Sequence, residues 1–132
     1  MTTQNDLAHS AESPHKGKTG LKRVLNAFFY SMDGFRAALR HEDAFRQEVF
    51  LAVLLIPGAL FTPANGTGKA VMIAAVLLVL IVELLNSAVE AAVDRISLEN
   101  HALAKRAKDI GSAAVLLALI NVPVVWGLVL FG

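Results

Sequence analysis

The sequence of 132 residues contains no cysteine. A disulfide framework, a catalytic thiol and a cysteine-ligated metal are therefore excluded. The first twenty residues also lack an apolar run, so they do not form a cleavable secretory signal. They are polar and rich in Ser, Thr, Asn, His and Lys, and we expect a disordered polar tail over residues 1–20.

What the chain has in excess is apolar sequence. Hydrophobic residues make up 55% of it and the mean hydropathy is +0.57, which is too apolar for an ordinary soluble domain. Residues 69–93 and 110–131 are each long enough for the roughly 20 residues that a bilayer requires. Residues 44–62 are interrupted by Pro57, but we count them as a third span, kinked at that proline. The predicted fold is an all-α integral membrane domain over residues 21–132.

The basic residues indicate the orientation of these spans. They are concentrated before the first span and between the second and third, whereas Lys69 stands alone in the loop between the first and second. The positive-inside rule then places the N-terminus and the second loop in the cytoplasm.

A fourth helix is predicted over residues 21–41. Apolar residues recur there at spacings of three and four, with basic and polar residues mostly on the other side. Such a basic amphipathic helix is typical of one that lies in the interface of the cytoplasmic leaflet.

Glu83 lies about midway along the apolar run of the second span. At about 100° per residue, Asn86, Glu90 and Asp94 share its helix face. An acid in the hydrocarbon costs about 2.5–3.5 kcal/mol on insertion scales, so a functional role is the default interpretation. The alternatives are that polar residues hold helices together, and that Glu90 and Asp94 reach water at the interface.

The second loop carries Lys105, Arg106, Lys108 and Asp109 within five residues. Alone, these cations are explained by membrane topology and by attraction to anionic headgroups. Beside the acidic face they gain a second interpretation, because phosphoryl transfer needs cations for phosphate and carboxylates for a divalent ion. A small proton-coupled transporter, with Glu83 and Glu90 carrying protons, is the alternative from another class.

Three segments resemble a known family. Residues 83–95 read Glu-Leu-Leu-Asn-Ser-Ala-Val-Glu-Ala-Ala-Val-Asp-Arg, residues 104–114 read Ala-Lys-Arg-Ala-Lys-Asp-Ile-Gly-Ser-Ala-Ala, and residues 42–48 read Glu-Asp-Ala-Phe-Arg-Gln-Glu. Their order and spacing are similar to those of the small prokaryotic diacylglycerol kinases, and the resemblance runs from Leu21 to the C-terminus.

The resemblance implies a homotrimer in the bacterial inner membrane, with three spans and a surface helix per subunit and with sites between subunits at the cytoplasmic interface. It implies transfer of the γ-phosphate of ATP, bound as a Mg²⁺ complex, to the primary hydroxyl of 1,2-diacylglycerol, giving phosphatidic acid and ADP. The expected partners are ATP, diacylglycerol and membrane lipids, and no nucleic acid is expected.

The resemblance also implies roles for individual residues. Glu83 matches the catalytic base, and Glu42 and Glu90 match the acids that bind the metal. The positions that match the ATP site are Arg23, Tyr30, Ser31, Glu42, Asn86, Glu90, Glu99, Asn100, His101, Lys108 and Asp109. Those that match the lipid substrate site are Arg23, Arg36, Ala44, Phe45, Arg46, Gln47, Glu48, Glu83 and Ser112.

Two points qualify the resemblance. Met32 and Asp33 stand where these kinases tend to have a Trp-Lys pair, which bears on any lipid contact of that stretch. A sister branch of the family phosphorylates undecaprenol, and the acidic residues do not separate the two branches. Residues 45–48 and 109–112 look closer to the diacylglycerol branch, so diacylglycerol is the predicted substrate and undecaprenol the alternative.

Overall fold

The computed structural model describes residues 16–96 and 101–132, which form four α-helices without a β-strand. The helices are α1 (Lys16–His41), α2 (Asp43–Leu60), α3 (Gly66–Ile96) and α4 (His101–Phe131). The all-helical prediction is therefore confirmed. Of the predicted tail, residues 1–15 lie outside the described residues, whereas residues 16–20 already belong to α1.

The chain divides into two compact units, one up to Ala37 and one from Ala38 to the C-terminus. The first unit contains most of α1. Its large apolar side chains are largely exposed, including Leu21, Val24 and Phe28. The rings of Phe28 and Phe29 pack edge to face with centroids 5.9 Å apart.

The side chain of Arg46 caps the carboxyl end of α1. Its guanidinium donates to the carbonyl oxygens of Leu39 and Arg40, at 2.8 and 3.0 Å, and pairs with Asp43. The last carbonyl groups of a helix lack partners within the helix and carry partial negative charge, so a basic side chain stabilises them. Only Glu42, with extended backbone, separates α1 from α2.

The loop between α2 and α3 has a side-chain hydrogen bond at each of its two ends. The hydroxyl of Thr62 donates to the carbonyl oxygen of Ala59, and Asn65 accepts a hydrogen bond from the backbone N–H of Gly68. Asn is among the best residues at this N-terminal position, since its side chain satisfies an otherwise unpaired N–H group. Pro57 lies inside α2, near the end of that helix.

Helices α3 and α4 form an antiparallel pair. Near the α3–α4 connection the side chain of Asp94 pairs with that of Lys108 at 2.5 Å, and towards the other end the indole N–H of Trp126 donates to the Met72 carbonyl oxygen at 3.1 Å. Helix α2 also packs against α3. The buried residues of this unit are mostly small, as is common in membrane helix pairs: Ala38, Phe45, Ala52, Ala59, Met72, Ala75, Val76, Val79 and Ala118.

Helices α3 and α4 are long and apolar enough to cross a membrane. Most of the apolar stretch of each helix is exposed within the chain, unlike the core helix of a soluble protein. Surfaces of this kind are covered by lipid or by other apolar helices. The chain is therefore that of a membrane protein. Helix α2 is shorter, at 18 residues, and the third span remains a prediction.

We expect Met72→Ala to destabilise the fold, because Met72 is fully buried between helices and its removal leaves a cavity. The loss should be roughly 1–3 kcal/mol, at the lower side of core values, since lipid is already apolar. The measurement is unfolding of the detergent-solubilised protein. Leu117→Ala on α4 is the control, since that side chain is 69% exposed; equal losses in both variants would contradict the packing described for α3.

Candidate functional site

The acidic face of α3 runs from the interior of the chain to its surface. Glu83 is only 5% exposed and is the one charged residue buried in the described part of the chain. Asn86 and Glu90 are half-buried, and Asp94 is exposed. All four lie on one continuous helix, as the spacing predicts. The face therefore offers a polar path from the helix end to a carboxyl group enclosed by protein.

Glu48 of α2 reaches this carboxyl group. The side chains of Glu48 and Glu83 are close enough to interact directly, and Oε2 of Glu48 is buried without a hydrogen-bond partner. Two neighbouring carboxylates repel each other, so the pair favours a proton or a cation beside it. The packing of α2 on α3 thus creates a site that attracts positive charge.

Glu42 and Glu90 lie near enough to Glu83 to act on it electrostatically. Glu42 occupies the N-cap position of α2, yet its carboxylate makes no capping hydrogen bond and is thus free to bind a ligand. Among the described residues no group of three metal-binding side chains comes together. Mg²⁺ is commonly held by one or two carboxylates together with substrate phosphates, so this donor set fits Mg²⁺ brought with a nucleotide.

Cations stand at the outer end of the acidic face. Lys108 of α4 pairs with Asp94 of α3 across the helix interface, and Lys105 pairs with Asp109 within α4 at 2.7 Å. Asp94 raises the pKa of the Lys108 ammonium, first through the hydrogen bond and then through its charge. Lys108 is therefore positively charged throughout the neutral range and available to phosphate oxygens.

Asn86 faces α4 at a glycine. Its Oδ1 atom is buried without a hydrogen-bond partner and occupies the space in which a side chain at Gly111 would begin. Gly111 lies in residues 104–114, one of the segments that resemble the known family, but no role was predicted for it. Glycine in the interior of a helix weakens it, which is the signal by which this close approach could have been noticed.

The other residues that the sequence singled out are spread over both units. Arg23, Tyr30, Ser31 and Arg36 lie on α1 before residue 38. There the Ser31 hydroxyl donates to the carbonyl oxygen of Ala27, and Arg36 pairs with Asp33 at 3.3 Å. His101 begins α4, whereas Glu99 and Asn100 lie outside the described residues.

The predicted lipid positions at the start of α2 differ in exposure. Ala44 and Gln47 are exposed, as is Ser112 on α4, whereas Phe45 is buried in the core at 2% exposure. The Arg46 guanidinium is engaged at the end of α1. The periodicity of the sequence predicted neither the burial of Phe45 nor the hydrogen bonds of Arg46.

An apolar cavity of about 180 Å³ lies between α2, α3 and α4. Glu48 is the only charged residue in its wall. The apolar lining consists of Leu51, Ala52, Leu55, Val76, Val79, Leu119, Val122 and Pro123. The cavity thus joins an apolar space to Glu48, one of the two neighbouring carboxyl groups.

Comparison with known proteins gives consistent matches over most of the chain. The family model described as Prokaryotic diacylglycerol kinase matches residues 29–130. A diacylglycerol kinase of Pseudomonas aeruginosa is 58% identical over 120 residues, covering 91% of this chain and 98% of that protein. The diacylglycerol kinases of Haemophilus influenzae and Escherichia coli are 50% and 46% identical over 113 residues, covering 86% of this chain and 96% and 93% of theirs. The resemblance seen in the sequence is confirmed, and the chain belongs to the prokaryotic diacylglycerol kinase family.

Proposed function

We propose that the protein transfers the γ-phosphate of MgATP to the primary hydroxyl of 1,2-diacylglycerol, giving phosphatidic acid and ADP. Family membership supports a lipid kinase. The structural observation that carries the reaction is the buried carboxyl group of Glu83, at the inner end of an acidic face whose outer end meets Lys108. A base, a place for a divalent ion and a cation for phosphate are the parts that this reaction needs.

Glu83 is the proposed catalytic base. Its carboxylate accepts the proton of the lipid hydroxyl as the hydroxyl oxygen attacks the γ-phosphorus, and the bond from that phosphorus to the bridging oxygen of ADP breaks. Because Glu83 is only 5% exposed, we expect little water beside the attacked phosphorus. Exclusion of water favours transfer to the lipid over hydrolysis.

The nucleotide site is proposed at the outer part of the acidic face. Glu42 and Glu90 hold the Mg²⁺ of MgATP, whose charge offsets that of the phosphates. Lys108 of α4 is the proposed cation for the phosphates, because it already pairs with Asp94 of the acidic face. The remaining proposed contacts to ATP are Arg23, Tyr30, Ser31, Asn86, Glu99, Asn100, His101 and Asp109.

The lipid site is proposed beside the carboxyl pair. The apolar cavity has Glu48 in its wall, and Glu48 interacts with Glu83. An acyl glycerol has the matching combination of an apolar chain and a polar end. At about 180 Å³ the cavity is smaller than the usual 300–1,000 Å³ of ligand sites, so it holds only part of the lipid. The other proposed lipid contacts are Arg23, Arg36, Ala44, Phe45, Arg46, Gln47 and Ser112.

The assembly is proposed to be a homotrimer of three-span subunits in the bacterial inner membrane. Support comes from the exposed apolar surface of α2, where Phe50 and Val53 are each 64% exposed. Basic residues are also concentrated before α2 and around the start of α4. By the positive-inside rule, this supports a cytoplasmic position for both, on the side where ATP is found.

Diacylglycerol is favoured over undecaprenol because the relatives in the comparison are named diacylglycerol kinases. The proton-coupled transporter is set aside, because the family is one of kinases.

Glu83→Gln should abolish turnover while the protein stays folded. Loss of the base removes about 10²–10⁴-fold in rate, and the amide fills the same space. The measurement is formation of phosphatidic acid from MgATP in mixed micelles, with unfolding as the check on the fold. Lys69→Gln is the control, since Lys69 lies in the first turn of α3, far along the helix from Glu83. Full activity of Glu83→Gln would eliminate Glu83 as the base.

Lys108→Gln should raise the KM for MgATP, because one positive charge facing phosphate is removed. A charge-assisted hydrogen bond of about 1.5–3 kcal/mol corresponds to roughly a ten- to a hundred-fold change. Lys69→Gln at the other end of the bundle is the matched control and should leave the KM unchanged. Equal effects of the two substitutions would place the nucleotide elsewhere.

Initial rates on diacylglycerol and on undecaprenol in the same micelles separate the two lipid substrates. We expect kcat/KM to be higher for diacylglycerol by at least about tenfold, which corresponds to about 1.4 kcal/mol of preference. Equal values, or a preference for undecaprenol, would move the chain to the other branch.

A further inference from the structure

Gly111 faces α3 at the point where Asn86 projects from it. A Cβ atom placed on Gly111 would overlap Oδ1 of Asn86 and would lie 3.2 Å from its Cγ. The obstacle is a half-buried side chain, held in the interface of two long helices. The Asn86 amide can therefore stand as it does only because residue 111 has no side chain.

The two polar atoms of this amide group differ in their surroundings. Oδ1 is the Asn86 atom that is buried without a partner, and Gly111 is what it faces. The oxygen and the nitrogen diverge from the same Cγ atom, so with Oδ1 against Gly111 we expect Nδ2 to be the amide atom that is left for a ligand. An amide N–H group can donate to a phosphate oxygen, whereas an amide oxygen in the same place would repel it.

A second glycine on α4, Gly127, has no such neighbour. A Cβ atom on Gly127 would meet nothing within 4 Å. Glycine in a helix interior is less favourable than alanine, so nothing in helix formation itself requires glycine at either position. At Gly111, unlike at Gly127, the neighbouring side chain supplies a reason for it.

We propose that Gly111 is a positioning residue of the kinase site: by leaving room for the Asn86 amide, it fixes the direction in which that amide donates towards the phosphates of the nucleotide. The proposal rests on the proposed role of Asn86 in the nucleotide site. Gly111 itself touches no substrate and acts only through Asn86.

The test is a double-mutant cycle of Gly111→Ala and Asn86→Ala, with Gly127→Ala as the matched control on the same helix. For each purified protein in mixed micelles, kcat and KM for MgATP are measured with diacylglycerol as acceptor. The midpoint of thermal unfolding in detergent is measured alongside, and it does not depend on any activity.

Gly111→Ala should lower kcat/KM by about 10- to 100-fold, the size of effect expected when a site group is misplaced by about an ångström. Gly127→Ala should stay within about twofold of the unchanged protein. In the Asn86→Ala background, Gly111→Ala should cause no further loss, because the group that it displaces is already gone. The unfolding midpoint should fall on Gly111→Ala when Asn86 is present and should not fall when Asn86 is truncated.

Two results would overturn the proposal. One is a Gly111→Ala protein with unchanged kinetics and unfolding midpoint. The other is the same loss in both backgrounds, which would mean that position 111 acts through helix packing and not through Asn86. If Gly111→Ala alone fails to fold, recovery of the fold in the double variant supports the proposal, and failure of both contradicts it. If the protein does not phosphorylate diacylglycerol at all, the proposed function fails, and the unfolding cycle still decides whether the two residues are coupled.

Discussion

The structure depends on a carboxyl group held inside an apolar helix bundle. Glu83 is nearly inaccessible within a single chain, and the ionisable groups that act on it from α2 and α3 are Glu48, Glu42 and Glu90. No ion pair in the described part of the chain joins it to Lys or Arg. Buried acids without such a partner are costly, and they are kept where function requires them. In the proposed reaction, the divalent ion that accompanies the nucleotide would supply the missing positive charge.

The packing of the three helices in the second unit places this acid. Small residues let α2 and α4 approach α3 closely, so Glu48 of α2 can reach Glu83 and Gly111 of α4 can meet Asn86. The Asp94–Lys108 pair and the Trp126–Met72 hydrogen bond fix the register of α3 against α4 near their two ends. The acidic face is thereby held between two helices and open at its outer end.

Much of this arrangement could be predicted from the sequence. The lengths of the apolar runs predict α3 and α4, and helical spacing predicts that Glu83 and Asp94 share a face, because both features are properties of a single helix. Contacts between helices could not be obtained in this way. The Glu48–Glu83 contact, the capping role of Arg46 and the burial of Phe45 depend on how α2 turns at Glu42, which no periodicity reports. The positions assigned by resemblance on α1 and in residues 99–100 remain predictions.

The most direct test of the central claim is phosphoryl transfer by the purified protein in mixed micelles containing diacylglycerol and ATP labelled at the γ-phosphate. If Glu83 serves as a base in a site that excludes water, label appears in phosphatidic acid in a one-to-one ratio with ADP, and it depends on Mg²⁺. Release of the label as inorganic phosphate, or no consumption of ATP with diacylglycerol present, would contradict the account.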